Sequence, residues 1–156
     1  MPPTILEFMG QDHDRLDEIF KKFQTIKRQD VEGATTLFKE FLTGLQRHIV
    51  WEEEILFPVF EAHANMVEGQ GPTTVMRIEH KQIKQFLDQI HDKIAAGDRR
   101  TENAERGLLE VLTAHNVKEE QILYPWIDNA ISEEERSSLV TRMQNLPPDT
   151  DEQASK

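Results

Sequence analysis

The chain of 156 residues is predicted to be all-α: an antiparallel up-down four-helix bundle with a short C-terminal fifth helix. Apolar residues recur at helical spacing along nearly the whole chain, and no segment alternates with the period of a half-buried strand. Long amphipathic segments are joined by short connections, which makes neighbouring helices antiparallel. The second half also repeats the first at an offset of 67 positions, so one helical hairpin is copied as another.

The first helix is expected over 4–28, with Ile5, Met9, Leu16, Ile19, Phe20 and Phe23 on its apolar face and Thr4 with Glu7 as a capping box. Asp30 is the expected N-cap of a second helix over about 31–65, whose apolar set includes Phe38, Phe41, Leu45, Ile49, Leu56 and Phe60. The stretch EGQGP at 68–72 is the clearest boundary. A third helix follows over about 73–96, with Val75, Ile78, Ile83, Phe86, Leu87 and Ile90, and Gly97–Asp98 ends it. A fourth covers about 101–130 through Leu108, Leu112, Ile122, Leu123 and Ile127. Ser132 and Glu135 form a second capping box and open the fifth helix, which runs to about Asn145. One domain over 1–146 is expected, with 147–156 as a disordered tail.

Composition narrows the chemistry. There is no cysteine, so disulfides, thiolate metal sites and iron–sulfur clusters are excluded. A formal net charge of −11 with no basic patch argues against a nucleic-acid partner. No run approaches the roughly 18–20 apolar residues of a membrane span, and the N-terminus lacks a basic n-region. No membrane association is expected, and the cytoplasm is the expected location.

The repeat carries the chemistry. HIVWEEEILFP at 48–58 lies over HNVKEEQILYP at 115–125, and DHDRLDEIF at 12–20 over EHKQIKQFL at 79–87. Thus His13 pairs with His80, His48 with His115, Glu52 with Glu119, and Pro58 with Pro125. A histidine and a glutamate four apart share one helix face, about 6 Å from each other. Six ligand-type side chains distributed over four helices and pointing inward describe a metal site in a bundle core. Six exceed the four that a structural zinc needs, and suit two ions, each held by two histidines, with both glutamates bridging. Imidazole and carboxylate without thiolate suit iron, manganese or zinc, and open coordination positions favour iron. Neither Glu-x-x-His nor His-Glu-x-x-His occurs, which disfavours ferritin-like di-iron sites and zinc proteases.

These stretches resemble the hemerythrin family, specifically its HHE cation-binding branch, over about residues 4–130. The resemblance implies a non-heme di-iron centre, two iron ions with an oxo, hydroxo or water bridge. In it His13, His48, His80 and His115 are terminal ligands, and Glu52 and Glu119 are bridging carboxylates. It also implies a small diatomic ligand, oxygen or nitric oxide. Oxygen-carrying members have a fifth histidine one turn from the third; here those positions are Met76 and Lys84. Their last carboxylate is an aspartate five residues past the histidine, whereas here Glu119 stands at plus four and Glu120 at plus five. The four-histidine, two-glutamate set is similar to di-iron proteins linked to repair of iron–sulfur centres after nitrosative stress. Binding or reaction of a diatomic, iron storage and donation, and redox catalysis therefore all stay open.

Of the remaining candidates, Glu53 and Glu120 are expected to face a neighbouring helix or solvent, with a role beside the ligands as the alternative. His63 and His91 are expected at the surface, and Trp51, Phe57, Tyr124 and Trp126 in the core, with Trp51 close enough to His48 to wall the site. A Tyr124 hydroxyl near the metal centre is the alternative to plain packing. Pro58 and Pro125 each remove a helical hydrogen bond and are expected to kink their helices just past the ligands.

Overall fold

A computed structural model describes residues 3–65, 71–98 and 100–146. The expected tail and most of the EGQGP boundary lie outside these residues. The described part is an all-α bundle: α1 (Ile5–Ile26), α2 (Val31–Val50), α3 (Phe57–Ala64), α4 (Pro72–Ala95), α5 (Glu102–Lys118), α6 (Tyr124–Ala130) and α7 (Glu133–Gln144). Among the described residues there is no strand. Both predicted capping boxes form, Thr4 with Glu7 and Ser132 with Glu135, and the Asp30 side chain accepts from the Gly33 amide. Gly97 takes a left-handed φ of 74° just past α4, a conformation that suits a residue without Cβ.

The expected second and fourth helices are not continuous α-helices. Each contains a π-helical turn, Trp51–Leu56 between α2 and α3 and Glu119–Leu123 between α5 and α6. The Phe57 amide donates to the Glu52 carbonyl, and the Tyr124 amide to the Glu119 carbonyl, five residues back in each case. Proline is the physical reason. Pro58 and Pro125 lack an amide hydrogen, and the pyrrolidine ring crowds the carbonyl four residues earlier. Inserting a wider turn absorbs both problems and lets the helix resume, with each proline in the first turn of the α-helix that follows.

Helix α1 packs along α2 and α4 along α5, while α1 also meets α6 and α7. The amides of Ile5 and Leu6 donate to the Asp128 carboxylate, and at the other end Lys27 pairs with Glu102 and Glu105. The start of α1 therefore lies by the end of α6, and its end by the start of α5. Two separate apolar clusters fill the bundle. One gathers Ile5, Met9, Leu56, Phe60, Met76 and Ile127 with α7 residues Leu139, Val140 and Met143. The other gathers Leu16, Phe20, Phe23, Phe38, Phe41, Ile83, Leu87 and Leu108. Several residues expected in the core are not there: Val75, Ile78, Ile122 and Trp126 are exposed, although Trp126 keeps an edge contact with Phe60.

Candidate metal centre

Between the two apolar clusters lies a buried polar layer. His13, His48, Glu52, His80, His115 and Glu119 are all buried, and the two glutamates are 0% exposed. One polar residue from each element would be costly to bury alone; together they converge. Ligand-capable atoms of Glu52, His80, His115 and Glu119 lie within 4.8 Å of one another, and so do those of His13, His48 and Glu119. Glu119 thus belongs to both groups, while Glu52 reaches from 2.9 Å of His80 Nε2 to 3.6 Å of His48 Nε2.

The orientation of the rings is uniform. Each Nε2 points into the layer: His13 and His115 each lie 3.2 Å from Glu119 oxygens, and His80 and His48 face Glu52. Each Nδ1 points outward and donates to a second carboxylate. His48 donates to Asp12 at 2.9 Å and His115 to Glu79 at 2.8 Å. His13 donates to Glu120 and His80 to Glu53, both at 2.6 Å. A proton held at Nδ1 leaves Nε2 with the lone pair that a metal needs, and fixes the ring plane.

These four outer carboxylates were only partly legible in the sequence. Asp12 and Glu79 carry no expectation from the sequence; Glu53 and Glu120 do face a neighbouring helix, and there they hold His80 and His13, the alternative role beside the candidate ligands. The signal was present, because Asp12 and Glu79, and likewise Glu53 and Glu120, stand at the same offset as the inner ligands. The π turns contribute here too. Glu52 and Glu53 are adjacent yet hold the two nitrogens of one ring, His80; Glu119 and Glu120 do the same to His13.

The aromatic walls break the symmetry. Tyr124 donates toward Glu52 at 2.5 Å and toward Glu119 at 2.9 Å, and its oxygen lies 3.2 Å from His48 Nε2. At the repeat-equivalent position Phe57 stacks on His80, with ring centroids 5.9 Å apart. Trp51 lies against His48, at 6.2 Å between ring centroids, and so walls the site. Met76 is buried in one apolar cluster, and Lys84 is exposed beside Asp88. Of the other histidines, His63 pairs with Glu135 at the surface and His91 lies beside Asp92.

The electrostatics describe a cluster arranged for a cation and held together by protons. Burial opposes charging of His48, but Glu52 and Asp12 hold it up at about 10. Burial likewise opposes His80, and Glu52 and Glu53 raise it to about 9. His115 is raised by Glu119 against the same burial penalty. Burial also works against ionisation of Glu52, yet hydrogen bonding with Glu119 and the facing imidazoles keeps its carboxyl well below the usual range. Burial and the neighbouring carboxylates push the Tyr124 phenol well above its ordinary value, so its proton stays in place.

The donor set fits a bound metal cation. Glu119 Oε2 is buried without a hydrogen-bond partner. It lies 3.2 Å from His115 Nε2, but that approach is not aligned as a hydrogen bond. A buried carboxylate oxygen left unsatisfied is costly unless something else binds it.

Comparison with known proteins gives the same direction. The model of the hemerythrin HHE cation-binding domain matches residues 4–127. A hemerythrin-like protein of Schizosaccharomyces pombe, itself uncharacterised, is 30% identical over 131 residues, which cover 84% of this chain and 63% of that protein. A DNA nickase of Nostoc is 25% identical over 138 residues, covering 88% of this chain and 37% of the relative. The chain thus matches less than two thirds of either relative's length. No solved structure gives a significant match. With its buried histidine and glutamate layer and a family match over most of its length, the chain belongs to the hemerythrin HHE cation-binding family.

Proposed function

We propose that this metal-binding protein holds a non-heme di-iron centre and reacts with a diatomic ligand, oxygen or nitric oxide. His13 and His48 would hold one ion, His80 and His115 the other, with Glu52 and Glu119 shared. The observation that carries this reading is the buried layer with every Nε2 facing inward and Glu119 Oε2 orphaned at its centre. When bound, iron supplies redox chemistry and affinity for small ligands at positions the protein leaves open.

The chain's own residues set the terms of access and proton supply. A pocket of about 40 Å³ opens against His13 and is walled by Leu16, Phe20, Phe41 and Leu112. Its size suits a small molecule, and its wall is apolar apart from Asp17, Thr113 and Asn116. Tyr124 holds a proton at its hydroxyl between Glu52 and Glu119. That proton lies beside the shared carboxylates on the side of His13 and His48 only.

Reaction is favoured over reversible carriage because Met76 and Lys84 stand where a fifth histidine would close one ion. Neither residue adds a fifth imidazole, so iron held by the four histidines and two glutamates would supply redox chemistry toward a diatomic. Mixing ferrous-loaded protein with oxygen in a stopped-flow instrument tests this. Oxidation within seconds to minutes, with ready binding of nitric oxide by the ferrous form, is the expected result. Oxygen uptake that reverses when oxygen is lowered would make the protein a carrier or sensor. Loss of iron to a weak chelator faster than either reaction would favour iron storage and donation. The nicking activity in the name of the Nostoc relative is not carried over, since the match covers 37% of that protein and this chain has a net charge of −11.

A further inference from the structure

The duplicated bundle has two equivalent approaches to its polar layer, and they have diverged. One runs between α1 and α5 and ends at His13; it is the pocket of about 40 Å³ described above. Its repeat-equivalent runs between α2 and α4 and ends at His80 and Glu53; it is a groove of about 350 Å³. His13, Asp17 and Phe20 of the first correspond to His80, Lys84 and Leu87 of the second, so these are two copies of one architectural feature.

The charge has inverted between the copies. The α4 rim of the groove carries Arg77, Lys81 and Lys84, whereas the equivalent positions on α1 are Gly10, Asp14 and Asp17. Three cations on consecutive turns are notable in a chain of net charge −11. They are not all neutralised. Arg77 pairs with Glu61 and lies over the Phe57 ring, and Lys84 pairs with Asp88 one turn on. Glu53 is engaged with His80. Lys81 is exposed, and among the described residues it has no carboxylate partner. The wall of the groove beneath the cations is apolar, formed by Ile49, Val50 and Leu87.

We propose that the α2–α4 groove is a binding site for a small organic carboxylate. The charged end would lie at Lys81, supported by Lys84 and Arg77, and an apolar body would lie on Ile49, Val50 and Leu87. Volume, charge and apolar wall all favour this class over a bare inorganic anion, which has nothing to place on the aliphatic side chains. The bound molecule would sit against Glu53, the carboxylate that orients His80. The site rests on the groove itself and not on the identity of the metal.

Equilibrium dialysis of radiolabelled benzoate against the as-isolated protein tests the proposal. The expected result is saturable binding of one benzoate per chain. Neutral benzamide and inorganic phosphate, at equal concentration, should not displace it. Lys81→Glu/Lys84→Glu should weaken binding by about tenfold or more, since hydrogen bonds to charged groups are worth that much. Both residues are exposed, so the variant should keep its helicity and melting temperature. Asp14→Lys/Asp17→Lys at the equivalent approach should leave benzoate affinity unchanged. Three results would overturn the proposal: no saturable binding, displacement by phosphate as effective as by benzoate, or binding insensitive to the lysine reversal. The last would mean that benzoate coordinates the metal directly or binds elsewhere.

Discussion

The first hairpin brings His13, His48 and Glu52 to the polar layer, and the second brings His80, His115 and Glu119; around these matched sets the surroundings differ. Asp12 holds His48 within the first hairpin as Glu79 holds His115 within the second. Glu120 and Glu53 cross between hairpins to hold His13 and His80. By contrast, Tyr124 meets Glu52 and Glu119 where its equivalent, Phe57, offers only a ring face to His80. The outer approaches differ as well, acidic and narrow at one copy, cationic and wide at the other. What the duplication keeps is a buried histidine and glutamate set able to hold metal. What it has let diverge is the aromatic residue against the layer and the lining of the two approaches.

The largest effect should come from breaking what is shared. Glu119→Ala and Glu52→Ala each remove a carboxylate proposed to serve both ions, and iron content should fall from the proposed two per chain to one or none. His13→Ala removes a side chain proposed to serve one ion and should cost less. Elemental analysis of the three variants, purified in parallel, checks the order. Equal and small losses would mean that the glutamates do not bridge.

The outer carboxylates come next. Asp12→Asn and Glu79→Gln should each weaken metal affinity by about 10–100-fold, because the partner of an imidazole fixes both its tautomer and its plane. The two effects should match, since the pairs are repeat-equivalent. Competition with a chromophoric chelator measures both. Glu53→Gln and Glu120→Gln should cost less, as these side chains are 34% and 40% exposed and water can replace them.

A smaller effect distinguishes the aromatic pair. Tyr124→Phe makes the second copy resemble the first and removes the one hydroxyl donor that lies between two buried carboxylates. The metal-free protein should lose about 1–3 kcal/mol of stability, the cost of leaving a buried acceptor unsatisfied. The metal content should hold. Thermal or denaturant unfolding of the chelated variant checks the first outcome, and elemental analysis the second.

Much of this was readable from the residues, and what was not has physical causes. The helices were legible because Leu16, Phe20, Phe23 and their counterparts repeat at helical spacing. The six residues of the buried polar layer were legible because His13, His48 and Glu52 recur as His80, His115 and Glu119 at one offset. The π turns were not, because an i to i+5 hydrogen bond leaves no mark on composition; only Pro58 and Pro125 hinted at a local disturbance. Asp12 and Glu79 were hidden because a carboxylate next to a histidine is common on any solvated helix. Val75, Ile78, Ile122 and Trp126 show the limit of apolar pattern alone: it marks a face, but the packing of neighbours decides whether that face is covered.

The gentlest probe is pH. In the metal-free protein His48 and His80 are raised to about 10 and about 9 from an ordinary 6.5. Their contribution is fully present below pH 6.5 and is lost as pH rises through the folded values, because the native state then binds more protons than the unfolded one. Metal ligation needs the same nitrogens deprotonated, so its apparent affinity rises over this window. The gap in melting temperature between loaded and chelated protein should therefore widen from pH 6.5 toward pH 9. A constant or narrowing gap would mean that the imidazoles do not exchange protons for metal.

We propose that one bundle holds two ions through a duplicated ligand set. Anaerobic titration of the metal-free protein with ferrous iron, followed by separation of unbound metal, tests it most directly. Saturation is expected at two irons per chain in the wild type and at one or none in Glu119→Ala. Saturation at a single iron per chain, unaffected by loss of Glu119, would contradict it.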